Sequence, residues 1–343
     1  MPGSEAAGAP PGGDAAQTAR SSAPETAPGR EGSPVRRPAR GRKLRGLTDR
    51  LPASLTDRPF LLELFVLSNL AFLTLDVWVA HAVNDFRDPL EWLPVVFAGV
   101  GSAVLAVVVL WERLRAGGQR AAPAGAGGEA GRVPASPRRP RLAALAVGWT
   151  AVAVGVGGFF LHLESRFFRE LTLESLVYSA PFAAPLAFAG LGLLLLMNRT
   201  VPAGSPDWGR WVLLLSLGGF AGNFALSLAD HAQNGFFHPE EWIAVVASAF
   251  AVSFLGVATF ARRPGRELVR WCAGVLGLQV FVGLLGFWFH LAARFRDEAA
   301  FGQDWRQEVI FGAPLFAPLL FVDIALLAAL GLWDLRAKTA DQR

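Results

Sequence analysis

The chain has 343 residues, of which 52% are hydrophobic and 17% charged, and its mean hydropathy is positive. That balance excludes an ordinary soluble globular protein and points to an integral membrane protein. The net charge of +4 sits in tails and loops between apolar runs, so it marks topology rather than a nucleic-acid surface, and the single cysteine, Cys272, excludes an intramolecular disulfide and a cysteine metal cluster.

Residues 1–55 are rich in Ala, Gly, Pro, Ser and Arg and have almost no large apolar side chain, which is the composition of a disordered cytoplasmic tail. Eight apolar segments follow, near 60–82, 92–112, 142–163, 177–197, 211–231, 242–261, 270–291 and 310–333. Each is close to the roughly 20 residues a helix needs to cross about 30 Å of hydrocarbon. The first segment starts too late in the chain for a cleavable signal peptide. The expected organisation is helices one and two in 56–115, a flexible Ala, Gly, Pro and Arg linker over 116–140, helices three and four in 141–199, four more helices in 208–335, and a short tail at 336–343.

Of the 32 Lys and Arg residues, only Arg87, Arg166, Arg169, Arg294, Arg296 and Arg306 fall in the loops after segments one, three, five and seven. The excess of basic residues on the other side predicts a plasma or inner membrane protein with both termini cytoplasmic.

The text repeats. His81 to Trp92 reads H-A-x-N-x-F-x-x-P-x-E-W, and so does His231 to Trp242, 150 residues on. Segments three and seven end alike, as G-F-[FW]-[LF]-H-L-x-x-R-F, pairing His162 with His290 and Arg166 with Arg294. Segments four and eight open alike, as A-P-[FL]-[AF]-A-P-L, pairing Pro181 with Pro314 and Pro185 with Pro318. The predicted fold is therefore an all-α polytopic bundle of eight transmembrane helices, arranged as two parallel four-helix repeats.

Most of the repeated hairpin motif is the grammar of a tight turn. Asn84 and Asn234 suit a left-handed helix end, Pro89 and Pro239 the first turn of the next helix, Glu91 and Glu241 its positive end, and Trp92 and Trp242 the headgroup region. The histidines are not explained that way. His81, His162, His231 and His290 each lie about twenty residues into an outward-running helix, at a common depth near the outer edge of the hydrocarbon, while His238 stands apart in a loop. Four imidazoles at one depth predict a metal or redox site for zinc, iron or copper. Haem ranks lower here, because bundles with two stacked haems carry two histidines on each of two helices, whereas each of these helices carries one.

Around them, Asn84, Glu91, Asn234 and Glu241 are candidates to support the histidines or touch a substrate, Glu164, Glu174, Asp230 and Glu308 are candidates to orient imidazoles as acceptors, and Arg166 and Arg294, four residues after a histidine, to hold an anionic ligand or a quinone oxygen. Pro185 has no N–H for the Pro181 carbonyl, nor Pro318 for that of Pro314, so two carbonyls are freed near the histidine layer. Asp76 and Asp323 fall inside apolar segments, where an acid is costly, and are candidates for a proton relay. The glycines Gly157, Gly158, Gly218, Gly222, Gly283 and Gly286 read as close helix contacts.

No Walker loop, dinucleotide fingerprint, H-E-x-x-H or nucleophile elbow occurs, which excludes a soluble-type kinase or hydrolase and leaves enzymatic activity open. The expected function is a membrane protein whose outer-facing histidines serve a metal or redox centre acting on a lipophilic, quinone-like partner within the bilayer. The alternatives are a small secondary transporter with parallel repeats, resting on Asp323 and the paired prolines, and a non-catalytic membrane subunit.

Overall fold

The computed structural model describes residues 56–82, 85–120, 138–177, 181–233, 235–261, 264–301 and 315–341. The N-terminal tail, most of the linker, Asn84, Asn234 and Pro314 lie outside the described residues. Every long element within them is a helix: α1 Arg58–Ala82, α2 Trp92–Arg120, α3 Arg138–Ser165, α4 Leu186–Thr200, α5 Pro206–Gln233, α6 Glu241–Phe260, α7 Arg266–Phe301 and α8 Leu319–Asp341.

Six of these, α1, α2, α3, α5, α6 and α7, are long and apolar enough to cross a membrane. Their large side chains are exposed on the outside of the bundle, among them Val100, Val107 and Leu110 of α2, Trp149 of α3 and Phe281 and Trp288 of α7. An apolar surface of that extent is stable in lipid and not in water. α4 has 15 residues, and α8 brings Asp323, Asp334 and Arg336 into its first five turns.

The helix ends follow local chemistry and differ from the expected segments where proline or its absence decides. The fourth segment was expected from 177 and the eighth from 310, but α4 begins after Pro185 and α8 after Pro318, because neither proline can donate into a helix already under way. No breaker stands between Leu291 and Phe301, and α7 runs on to Phe301. The linker is shorter than expected, since α2 continues to Arg120 and α3 begins at Arg138.

Neighbours in sequence pack in space. α1 lies on α2, α2 on α3, α3 on α4 and α4 on α1; α5 lies on α6, α6 on α7, α7 on α8 and α8 on α5. The two sets meet through α4 with α5 and α8 with α1. Leu62, Val66, Leu105, Ala144, Phe188 and Leu195 fill the first core, and Phe220, Ala251, Leu255, Cys272, Ile324 and Ala328 the second.

Four glycines set the close approach of helices to the proline turns. A Cβ on Gly155 would stand 2.4 Å from the Ala189 nitrogen and 2.8 Å from the Pro185 oxygen, and one on Gly158 2.9 Å from Pro185 Cβ. Gly283 and Gly286 meet Pro318 at 2.8 and 2.9 Å in the same way. Gly157, Gly218 and Gly222, expected to act likewise, have open space where a Cβ would go.

At the end of the bundle away from the hairpins, charges are paired. Arg199 of α4 sits between Glu63 of α1, 2.9 Å away, and Glu112 of α2, 2.8 Å away. Asn198 donates to the Pro59 carbonyl at 3.0 Å and to Glu63 at 3.2 Å, and accepts from the Trp208 indole at 3.0 Å. Arg58 reaches the buried Asp334 of α8 at 2.6 Å. These contacts fix α1, α2, α4, α5 and α8 against one another below the site.

Candidate functional site

The two hairpins have the same construction. Glu91 N–H bonds to the Asp88 carbonyl at 3.0 Å, and Glu241 N–H to the His238 carbonyl at 3.0 Å. In the first copy the Asp88 carboxylate also caps Leu90 N–H at 2.9 Å. The left-handed residues are Asp85 and Phe86 in one copy and Gly235 and Phe236 in the other. A phenylalanine at φ near +50° costs about 1–2 kcal/mol, and here a stacked indole offsets it: Phe86 lies 4.1 Å from Trp92 and Phe236 4.0 Å from Trp242, ring to ring. The two tryptophans therefore clamp the turn as well as facing outward.

This clamp sets the floor on which the histidines stand. His81 lies 6.2 Å from the Phe86 ring, and His231 6.1 Å from the Phe236 ring. Each faces the glutamate that opens the next helix, His81 Nδ1 being 3.9 Å from Glu91 Oε2 and His231 Nδ1 3.6 Å from Glu241 Oε2. Those gaps exceed a hydrogen bond. Both carboxylate oxygens are buried without a hydrogen-bond partner among the described residues.

The second imidazole of each site comes from the helix across the set. His162 of α3 stands 6.2 Å from His81, ring centroid to ring centroid, with 57° between the planes. In the other set His290 of α7 acts electrostatically on His231. The Pro181 carbonyl, freed by Pro185, bonds His162 Nδ1 at 3.0 Å and also accepts Ala184 N–H at 3.1 Å. The paired prolines thus orient an imidazole.

The four histidines are gathered in twos and not as the single four-nitrogen set expected from their common depth. Among the described residues no group of three or more His, Cys, Asp or Glu side chains is placed to hold a metal ion. The reason is topological: α1 and α3, with His81 and His162, share one set of packed helices, and α5 and α7, with His231 and His290, the other.

The remaining candidates are more scattered. Arg166 lies at the break that ends α3, and its guanidinium pairs with Glu170 at 3.2 Å. The Arg294 side chain is outside the described residues. Asp323 accepts a hydrogen bond from Asn69 Nδ2 at 3.1 Å, across the α1–α8 contact. Asp76 is half-buried seven residues, or about two turns, further along α1 toward the hairpin. Sequence reasoning missed Asn69, Glu63, Glu112 and Arg199, none of which recurs in the second copy at the matched position of its repeat text.

An apolar groove of about 330 Å³ lies beside the second hairpin, between α6 and α7, lined by Pro239, Trp242, Ile243, Val246, Phe250 and Leu278. It starts next to Glu241 and runs along the lipid-facing side of both helices. The chain matches no known protein-family model, and neither a curated protein nor a solved structure is detectably similar to it.

Proposed function

We propose that the chain is an integral membrane protein of eight spans, built as two parallel four-helix repeats, and that it carries electrons at its outward face, each half holding a one-electron redox group between its two histidines. The observation that carries this is the recurrence of one arrangement in both halves. In each half an imidazole whose Nδ1 faces a buried carboxylate oxygen lacking a hydrogen bond stands on a clamped Phe–Trp turn, and in the first half a second imidazole, that of His162, lies 6.2 Å from His81. Packing alone does not call for a buried, unpartnered carboxylate twice, since such a group costs free energy until it is satisfied. Groups that orient an imidazole from its far nitrogen are what a bound centre needs.

The distribution of Lys and Arg supports a reading with the hairpins outside and both termini in the cytoplasm of a plasma or inner membrane. α4 completes a crossing together with the proline turn and the short helix Leu173–Val177 before it. α8 carries its acids against Asn69 and Arg58, where they are satisfied by protein.

The partner is a lipophilic quinol. Its tail suits the groove between α6 and α7, which opens at Trp242 beside the second site. Transport explains less, because Asp323, on which it would turn, has Asn69 as a structural partner.

The test is single-turnover oxidation of a short-chain quinol by the oxidised, purified full chain without oxygen. One quinol gives two electrons, one to each centre, and two protons to water, so one quinone per chain is expected. His81→Ala halves that yield. No quinone above the blank refutes the proposal.

A further inference from the structure

We infer that the α2–α3 corner, at the end of the bundle away from the hairpins, is a binding surface for an anionic phospholipid of the adjoining leaflet, recognised through its phosphate. Arg115 lies in the last turns of α2, and Arg138, Arg139 and Arg141 lie in the first turn of α3. All four are exposed. Binding there needs only that α2 and α3 cross a bilayer, for which both are long and apolar enough, and it stands apart from the redox function at the opposite end.

Charge is the first ground. The described acids of the first half at this end are already matched: Asp57 lies 3.0 Å from Arg113, and Glu63 and Glu112 lie 2.9 and 2.8 Å from Arg199. Among the described residues Arg115, Arg138, Arg139 and Arg141 have no carboxylate partner. Four guanidiniums therefore face outward with no counter-charge from those residues. A planar guanidinium takes a phosphate through two parallel N–H bonds, which suits it to a phosphodiester headgroup. The matched corner of the second half is less charged, because Arg270 of α7 is paired with Glu267 of the same helix, and Arg266 is left beside it.

Depth is the second ground. A Cβ on Gly101 of α2 would stand 3.6 Å from Val147 Cγ1 of α3, so those two residues are level. From that crossing, at roughly 1.5 Å per residue, Arg138 and Arg139 lie about 13 Å and Arg115 about 21 Å toward the end of the bundle. The spread of about 8 Å is close to the thickness of one headgroup layer, about 5–7 Å. Arg141, about 9 Å from the crossing, reaches the same layer along its apolar stem.

Trp111 marks that layer. Its indole is 48% exposed, and the Arg115 guanidinium lies 4.6 Å over the ring. An indole settles at headgroup level, and the cation held on its face stays at the interface with it. Further into the bilayer Val104 and Val107 of α2 and Leu142 of α3 are exposed and apolar, as acyl chains below a bound headgroup require.

The experiment is titration of the purified full chain, in neutral detergent, with dioleoyl phosphatidylglycerol or dioleoyl phosphatidylcholine, the bound lipid being counted by native mass spectrometry. Phosphatidylglycerol is expected to bind more than about tenfold tighter than phosphatidylcholine. Arg115→Gln and Arg139→Gln should each weaken it about fivefold, the effect of one cation near an anionic surface. Arg138→Gln, Arg139→Gln and Arg141→Gln together should remove the preference, while Arg87→Gln, at the first hairpin, should leave it unchanged. Should the triple variant fail to fold, the wild-type chain answers the same question in rising salt, where the preference should shrink as screening grows. Equal affinity for the two lipids overturns the inference, as does a preference that a folded triple variant keeps or that salt leaves unchanged. Displacement of the lipid by millimolar inorganic phosphate would assign the arginines to a soluble anion and overturn it too.

Discussion

Arg199→Leu is expected to lower stability by about 3–5 kcal/mol, the cost of removing one partner from a buried charge cluster. The guanidinium is 8% exposed and stands between the Glu63 carboxylate, 12% exposed, and that of Glu112, 23% exposed. Without it two acids face each other in a low-dielectric setting with Asn198 as the remaining donor to Glu63. The size of the loss comes from the buried Glu63 charge left without its guanidinium and less from the pair itself, because taking charges out of water nearly cancels their attraction. Adding Glu63→Leu to Arg199→Leu should therefore recover more than half of the loss. Equilibrium unfolding in mixed micelles measures both variants; a loss under 1 kcal/mol for Arg199→Leu would show that the cluster is solvated in the membrane.

Gly155→Leu is the second large effect. Its Cβ would stand 2.4 Å from the Ala189 nitrogen and 2.8 Å from the Pro185 oxygen, which are backbone atoms that no rotamer change can move. Overpacking of a core costs about 1–3 kcal/mol, and a clash with backbone places this substitution at the upper end or beyond. The consequence reaches the site, because α4 must move off α3 and carries the Pro181 carbonyl away from His162 Nδ1. The first site should fail while the second persists, since Gly283 and Pro318 are untouched. Gly157→Leu, with open space beside its Cα, is the control and should leave both stability and site unchanged.

The parts of this architecture that were legible in the sequence are those with a local cause. Apolar length marked the helices, the repeated text marked two equivalent hairpins, and Pro185 marked a free carbonyl at Pro181, which proved to hold His162. Common depth marked the four histidines as a layer. It could not say which would meet, because depth runs along the membrane normal and pairing depends on the order of helices around the bundle. That order places α3 across from α1, and so His162 with His81. Glu91 reads in the sequence as a helix-start residue and a candidate beside the histidines, while the burial of its oxygen facing His81 depends on the packing. Among the described residues of the hairpins the left-handed ones are Asp85, Phe86, Gly235 and Phe236; a stacked tryptophan holds each phenylalanine in a conformation its own side chain disfavours, which the motif did not reveal. Asn69 with Asp323, and Arg199 with its two acids, join positions far apart in the chain that share no motif, so nothing in the linear text links them.

Counting electrons tests the central claim most directly. Coulometric titration of the purified full chain should take up two electrons per chain, one for each pair of histidines. His81→Ala and His231→Ala should each take up one, and the double variant none. A wild-type chain that takes up no electrons, or a folded double variant that still takes up two, would contradict the assignment of one redox group to each histidine pair.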